Sequence, residues 1–292
     1  MVDTYGAHES RAYFVVESVY GVTPTSPTMV GVNTEGVEPS LDPGLIKIRG
    51  IGNRDLQSLT KGLRKVELKI PSVLTSESPI GFIQHVQTLS PLSIQVLYYK
   101  GVFSSPTDVI SFLYKGCKIN KLDVACSVED IMRATVELIG QDVAVGTAKV
   151  VGATYGDWGG AVPYSESYVS RGAADGSSQV MVDRVTDWKF TVENNLNPVT
   201  VIKSTDAHLI KYLPARHRNL SGELTFEFED KTEFDDVISD AEFSLKFGLG
   251  GGETPRSALF KNCKWERVST PTKIEDLVSL KAPFAARDVV IS

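Results

Sequence analysis

The 292 residues carry 42% hydrophobic and 23% charged side chains, proportions of a chain that buries a globular core and not of a disordered or fibrous one. A net charge of −6 and a pI near 5.4 exclude tight binding to nucleic-acid phosphates, which takes a basic surface. The opening residues are polar, and no stretch approaches the roughly 20 apolar residues of a membrane-crossing helix, so neither a signal peptide nor membrane insertion is expected.

Residues 1–36 read as an N-terminal arm with one short strand at 12–17. The following run, Tyr20-Gly21-Val22-Thr23-Pro24 to Thr28, is extended, because Pro24 and Pro27 withhold donors and bias their neighbours. Such a segment cannot pack alone and must lie on something, here a neighbouring molecule. A strand at 37–42 ends in the turn Asp42-Pro43-Gly44. Residues 45–49 continue extended, and 49–62 form a long polar excursion. Strict alternation over 63–70 predicts a half-buried strand. Residues 79–89 predict a short amphipathic helix with Pro79 in its first turn and Ile80, Ile83 and Val86 or Gln87 on one side. Strands follow at 92–99, 112–124 and 131–143, with a turn at 104–107. A glycine-rich junction occupies 144–186.

The second half retraces the first. It gives a strand from 187, a polar excursion over 203–219, an alternating strand over 220–229 and a helix over 232–239 with Phe234, Val237 and Ile238 inward. A strand at 242–249, a turn at Gly250-Gly251-Gly252 and a closing strand pair complete it. Residues 112–143 align without a gap on 258–289. Leu113 meets Leu259, Lys115 meets Lys261, Cys117 meets Cys263, Glu129-Asp130 meets Glu275-Asp276, and Asp142-Val143 meets Asp288-Val289. A constant offset of that kind predicts tandem copies of one domain. The expected organisation is an arm (1–36), a first domain (37–146), a junction (147–186) and a second domain (187–292). Each domain is a mainly β sandwich or barrel with one short flanking α-helix.

Chemistry-bearing patterns are few. The three cysteines lack a CxxC, and Cys117 and Cys263 hold the same repeat position, so all are expected to be buried free thiols in a reducing compartment. His8, His85, His208 and His217 are scattered, and His208 with His217 has no further ligand nearby. The glycines at 248–252 lack the Lys-Ser/Thr of a phosphate loop. Glu129-Asp130 and Glu275-Asp276 recur as turn residues. No GxSxG or Cys-His spacing is present. The expectation is a non-enzyme without cofactor or metal. In 223–230, Phe alternates with Glu, which is a solvated sheet face or an acidic wall. As a wall, Glu223, Glu227 and Glu229, with Glu67 in the first copy, would repel a passing polyanion.

Tyr20-Gly21-Val22-Thr23-Pro24, the stretch Asp187-Trp188-Lys189-Phe190 to Asn195-Leu196, the strand from Leu220 to Asp230, and Pro271-Thr272-Lys273-Ile274-Glu275 together resemble the tail tube proteins of long-tailed bacteriophages and archaeal tailed viruses, of the duplicated-domain type. The resemblance implies homo-oligomeric rings, trimeric with pseudo-sixfold symmetry, stacked into a virion tail tube assembled in the host cytoplasm. It implies a lumen that conducts double-stranded DNA, with Glu67, Glu223, Glu227 and Glu229 facing it. A tape-measure protein, a tail terminator and baseplate or distal tail proteins are the implied partners. The two excursions exceed hairpin turns. Their mixture of Arg49, Arg54, Leu56 and Lys61 in one, and His208, Leu209, Ile210, Tyr212, Arg216 and Arg218 in the other, suits ring-to-ring contact. The alternative is a β-rich carbohydrate-binding or adhesin module, for which Tyr155, Trp158, Tyr164 and Tyr168 would supply aromatic contacts.

Overall fold

The computed structural model describes residues 4–52, 54–75, 80–202, 205–250, 256–271 and 278–292. The protein is mainly β. In the first half, β1 (Ser10–Val16), β2 (Thr28–Val32) and β3 (Glu38–Asp42) precede the small hairpin of β4 (Ile46–Ile48) and β5 (Ser58–Thr60). Then come β6 (Lys65–Val73), helix α1 (Ile80–Thr88), β7 (Leu92–Val102), β8 (Ser105–Ser127), β9 (Arg133–Gly140) and β10 (Asp142–Gly146). The second half has β11 (Thr154–Tyr155), β12 (Val169–Ala173), β13 (Val180–Met181), β14 (Val185–Glu193), β15 (Asn219–Glu227) and helix α2 (Thr232–Ser239). It closes with β16 (Phe243–Gly248), β17 (Ser257–Trp265), β18 (Ser279–Ala285) and β19 (Asp288–Ile291).

Three sets of ladders organise these strands. One sheet runs β2–β1–β7–β8–β10, and its counterpart runs β13–β12–β16–β17–β19. A longer sheet, joined to each of them through β8 and β17, crosses both halves in the order β3–β6–β9–β8–β14–β15–β18–β17. The order of pairing in these two sets of strands is thus the same in each half, while β4, β5 and β11 have no counterpart among the described residues. β8 belongs to two sheets because it bends. Up to Cys117 it pairs with β7 and β10, and from Lys118 it pairs with β9 and β14. Gly116 makes the corner at φ +63°, where a Cβ would come within 2.8 Å of the Gln141 side chain. The corresponding corner of β17 is Asn262, at φ +50°, one of the few side chains that tolerates this region.

Alternation dictates which residues enter the core. Val66, Leu68 and Ile70 of β6 and Val136 and Leu138 of β9 point inward, with charged neighbours outward. Most buried apolar residues of both halves form one continuous cluster, and Tyr13, Met29, Leu97, Tyr99 and Val109 form a smaller second one. In the second half the larger cluster is aromatic: Phe247 lies 5.1 to 6.0 Å from Trp188, Phe190, Phe260 and Phe284. All three cysteines are free and buried.

Several expectations need correction. Residues 10–16 and 28–32 do not form an arm lying on a neighbour. β1 pairs along its whole length with β7, and Ala12, Tyr13 and Phe14 are core residues. Their partners lie some eighty residues away, beyond the reach of local pattern. Residues 131–143 are two strands, interrupted at Gln141, whose amide donates to the Ile210 carbonyl at 2.8 Å. The helix at 232–239 is present, but Val237 and Ile238 face solvent. The buried residue on that helix is Glu233, held by Arg184 at 2.6 Å. Pro79, Gly251, Gly252 and residues 272–277, including Glu275-Asp276, lie outside the described residues.

Breaking a buried pair strands the remaining charge. Arg184→Met is expected to lower stability by about 3–5 kcal/mol in urea unfolding. Combining it with Glu233→Gln should recover most of that loss.

Candidate functional site

The outward face of the long sheet carries its polar residues in rows. Across β3, β6, β9, β8 and β14, directly opposed positions read Glu38, Lys69, Glu137, Lys121 and Glu193. Acid and base alternate, so each charge sits beside its opposite, the favourable cross-strand arrangement. Lys69 lies 3.2 Å from Glu38, Lys121 2.7 Å from Asp123, and Lys189 3.6 Å from Glu223. Thr191 donates to Asp123 at 2.6 Å. The hydrogen bond to Asp123, with Glu137 and Glu193 nearby, raises the Lys121 pKa above that of an ordinary lysine.

Of the four glutamates read from the sequence, Glu67, Glu223 and Glu227 share this face. Glu229 does not. It lies past the end of β15, beside Met181 and Asp183. The ladders also shift the match between halves: Glu67 occupies the position of Ser221, and Lys69 that of Glu223. Sequence reading missed Asp123, Glu137 and Glu193, which period-two alternation in β8, β9 and β14 does indicate. It also missed the interleaved lysines, so the face is mixed in sign with an excess of acid.

The two excursions differ. Residues 43–52 and 54–62 stand off the body around the β4–β5 hairpin, with Arg49, Arg54, Leu56 and Lys61 exposed and Ile51 fully so. The second folds back on the first half. The Arg64 amide donates to the His208 carbonyl at 2.9 Å, the His208 ring lies 2.9 Å from the Gly62 carbonyl, and Lys118 reaches the Leu213 carbonyl at 3.2 Å. Ile210 is fully buried there and Leu209 partly so, while Arg218 pairs with Asp288 at 3.0 Å. Tyr212 and Arg216 remain exposed.

Between these surfaces lies the joint of the two halves. β14 pairs with β8 from Asp187 opposite Ser127 to Glu193 opposite Lys121. At its end Asn194 is buried, its side-chain amide donating to the carbonyls of Val86 (2.8 Å) and Ile119 (3.0 Å). The neighbouring Asn120 carboxamide accepts from the Leu196 amide at 2.8 Å. One side chain thereby ties α1, β8 and β14 together.

The apparent chemical sites resolve into structure. Glu129, at φ +65°, and Asp130 form the β8–β9 turn, with Asp130 accepting from the Ile131 amide and pairing with Arg133. Among the described residues no group of His, Cys, Asp and Glu could hold a metal. Burial raises the Cys117 thiol pKa and pushes that of Cys263 up to about 12, so neither is a nucleophile at neutral pH. Tyr155 is packed on Tyr13 and donates to Gln95, and Trp158 sits over Arg11. Tyr164 and Tyr168 line a different cleft, so the four aromatics form no single patch. Among the described residues no helix is long and apolar enough to cross a membrane.

The chain is mainly β, with one long sheet that spans both halves, a charged outward face and a projecting hairpin. The family described as phage tail tube protein matches residues 7–286, and the chain belongs to it. Its role is that of a structural component of a virion tail. No curated protein matches. Among solved structures, a chain in the cryo-EM structure of the anti-feeding prophage (AFP) baseplate, 6-fold symmetrised, is similar at 13% identity and a TM-score of 0.37, over 50% of this chain and 97% of that one.

Asn194→Leu would leave two buried carbonyls without donors. The expected cost is about 1–3 kcal/mol in chemical denaturation, with the transition remaining single because both halves share one core.

Proposed function

We propose that this chain is a tail tube subunit composed of two tandem copies of one domain, which assembles into closed rings that stack into a tube. The observation that supports the reading is the sheet crossing both halves, in which β14 pairs with β8 and joins the halves edge to edge. Repetition of that joint closes the sheet into a barrel and removes its open edges. Two units per chain fit a trimeric ring of pseudo-sixfold symmetry.

The outward face of that sheet is then the lumen wall. Its acid excess, with Glu67, Glu223 and Glu227, keeps a passing DNA duplex from adhering, while the interleaved lysines limit self-repulsion. The β4–β5 hairpin, with Arg49, Ile51, Arg54 and Leu56, is the stacking element, assisted by Tyr212 and Arg216. The reading includes a tape-measure protein in the lumen during assembly, contact with a tail terminator and with baseplate or distal tail proteins at the tube ends, and assembly in the host cytoplasm.

Negative-stain microscopy of the purified full chain should show hollow tubes or stacked rings. A stable monomer at high concentration that binds glycans would overturn the reading in favour of an adhesin. Replacing Glu67, Glu223 and Glu227 together with Lys should leave tubes intact and reduce infectivity. Unchanged infectivity would remove them from the lumen. Shortening the hairpin by deleting residues 50–56 should yield rings that no longer stack.

A further inference from the structure

We propose that a second copy of this chain docks its β3 edge against residues 267–270, rebuilding between chains the joint that β8 and β14 make within one. The inference rests on the ring reading and names the two surfaces that would close the ring.

The ladders fix which positions correspond. Ser40 stands opposite Glu67, which stands opposite Ile139, which stands opposite Lys118. Thr191 stands opposite Ser221, then Ala285, then Lys264. β3 is therefore the positional counterpart of β14, and β17 that of β8. β17 does not end functionally at Trp265. The Glu266 amide donates to the Pro283 carbonyl, and Ser269 exchanges both hydrogen bonds with Lys281, at 3.0 and 2.8 Å. This continuation lies along β18 as Asp123 lies along Thr135 of β9. Among the described residues no strand pairs with its other side, nor with the outer side of β3.

The internal joint supplies the register. It sets Lys121 opposite Glu193, Leu122 opposite Val192, Asp123 opposite Thr191 and Val124 opposite Phe190. Carried to these two edges, Arg267 meets Asp42, Val268 meets Leu41, Ser269 meets Ser40 and Thr270 meets Pro39. The base–acid pair keeps its polarity and the apolar pair stays apolar. Arg267 and Asp42 are both exposed and make no ion pair within the chain among the described residues. Pro39 is a departure. It lacks the donor that Phe190 supplies, so the ladder between chains is shorter than its template.

Exposure supports the same match independently. Val192, Leu196 and Val86 lie at the internal joint and are 0, 8 and 0% exposed. Their counterparts at these two edges, Leu41, Leu45 and Val237, are 54, 51 and 45% exposed. Leu41 and Leu45 flank one edge and Val237 the other, so one copy offers what the next lacks.

Two experiments on the full chain test the joint. Ser40→Cys combined with Ser269→Cys should give disulfide-linked multimers on mild oxidation, while either single variant gives none, the native thiols being buried. Asp42→Arg and Arg267→Asp should each lower the assembled fraction on the order of tenfold, and the double variant should restore it. If wild-type rings form while the cysteine pair fails to cross-link and both charge variants assemble normally, the joint is wrong and the ring reading stands. If the wild-type chain forms no rings, both fail.

Discussion

The pairing of β14 with β8 is the constraint on which the rest of the structure depends. It makes one sheet of what would otherwise be two, and it places the hydrophobic faces of both halves over a single core. β8 can serve there only because it is long and turns at Gly116, so one end builds the first half's own sheet while the other end is offered to the second half. Asn194 locks the corner where α1, β8 and β14 meet, through groups that water cannot reach.

Much of this architecture is legible in the residues. Alternation locates β6, β9 and β15, and the apolar spacing locates both helices. The 146-residue offset between Cys117 and Cys263 holds across β8, β9 and β10 and their counterparts β17, β18 and β19. What fails, fails for identifiable reasons. β1 looks like a loose arm because its stability comes from Ile94 and Val96, which are distant in sequence. Val237 and Ile238 look inward because an amphipathic pattern shows that a face is apolar, not which molecule covers it. The acidic wall is overdrawn because alternation places glutamates on one face but says nothing of the lysines opposite them.

The two polar excursions illustrate how position decides the fate of similar sequence. The loop after β14 begins at the joint and finds the first half beside it, so Ile210 and Leu213 become core. The loop after β3 begins at an open edge and meets the rest of the chain only near its base at Gly62, so Leu45, Ile46 and Ile48 stay in water and the segment closes on itself as a hairpin. A monomer that leaves this much apolar surface uncovered at one edge is an incomplete object. Pro39 within that edge limits how well an arbitrary strand can add to it.

In the proposed ring, the covalent link between the halves would also change how assembly responds to dilution. In a closed ring of such chains, every second joint forms during folding at an effective concentration set by the connecting segment, whatever the amount of protein present. Only the remaining joints obey mass action. On the proposed ring reading, two units carried by one chain would lower the molecularity of ring closure, so that rings would form at chain concentrations where separate single units would stay apart.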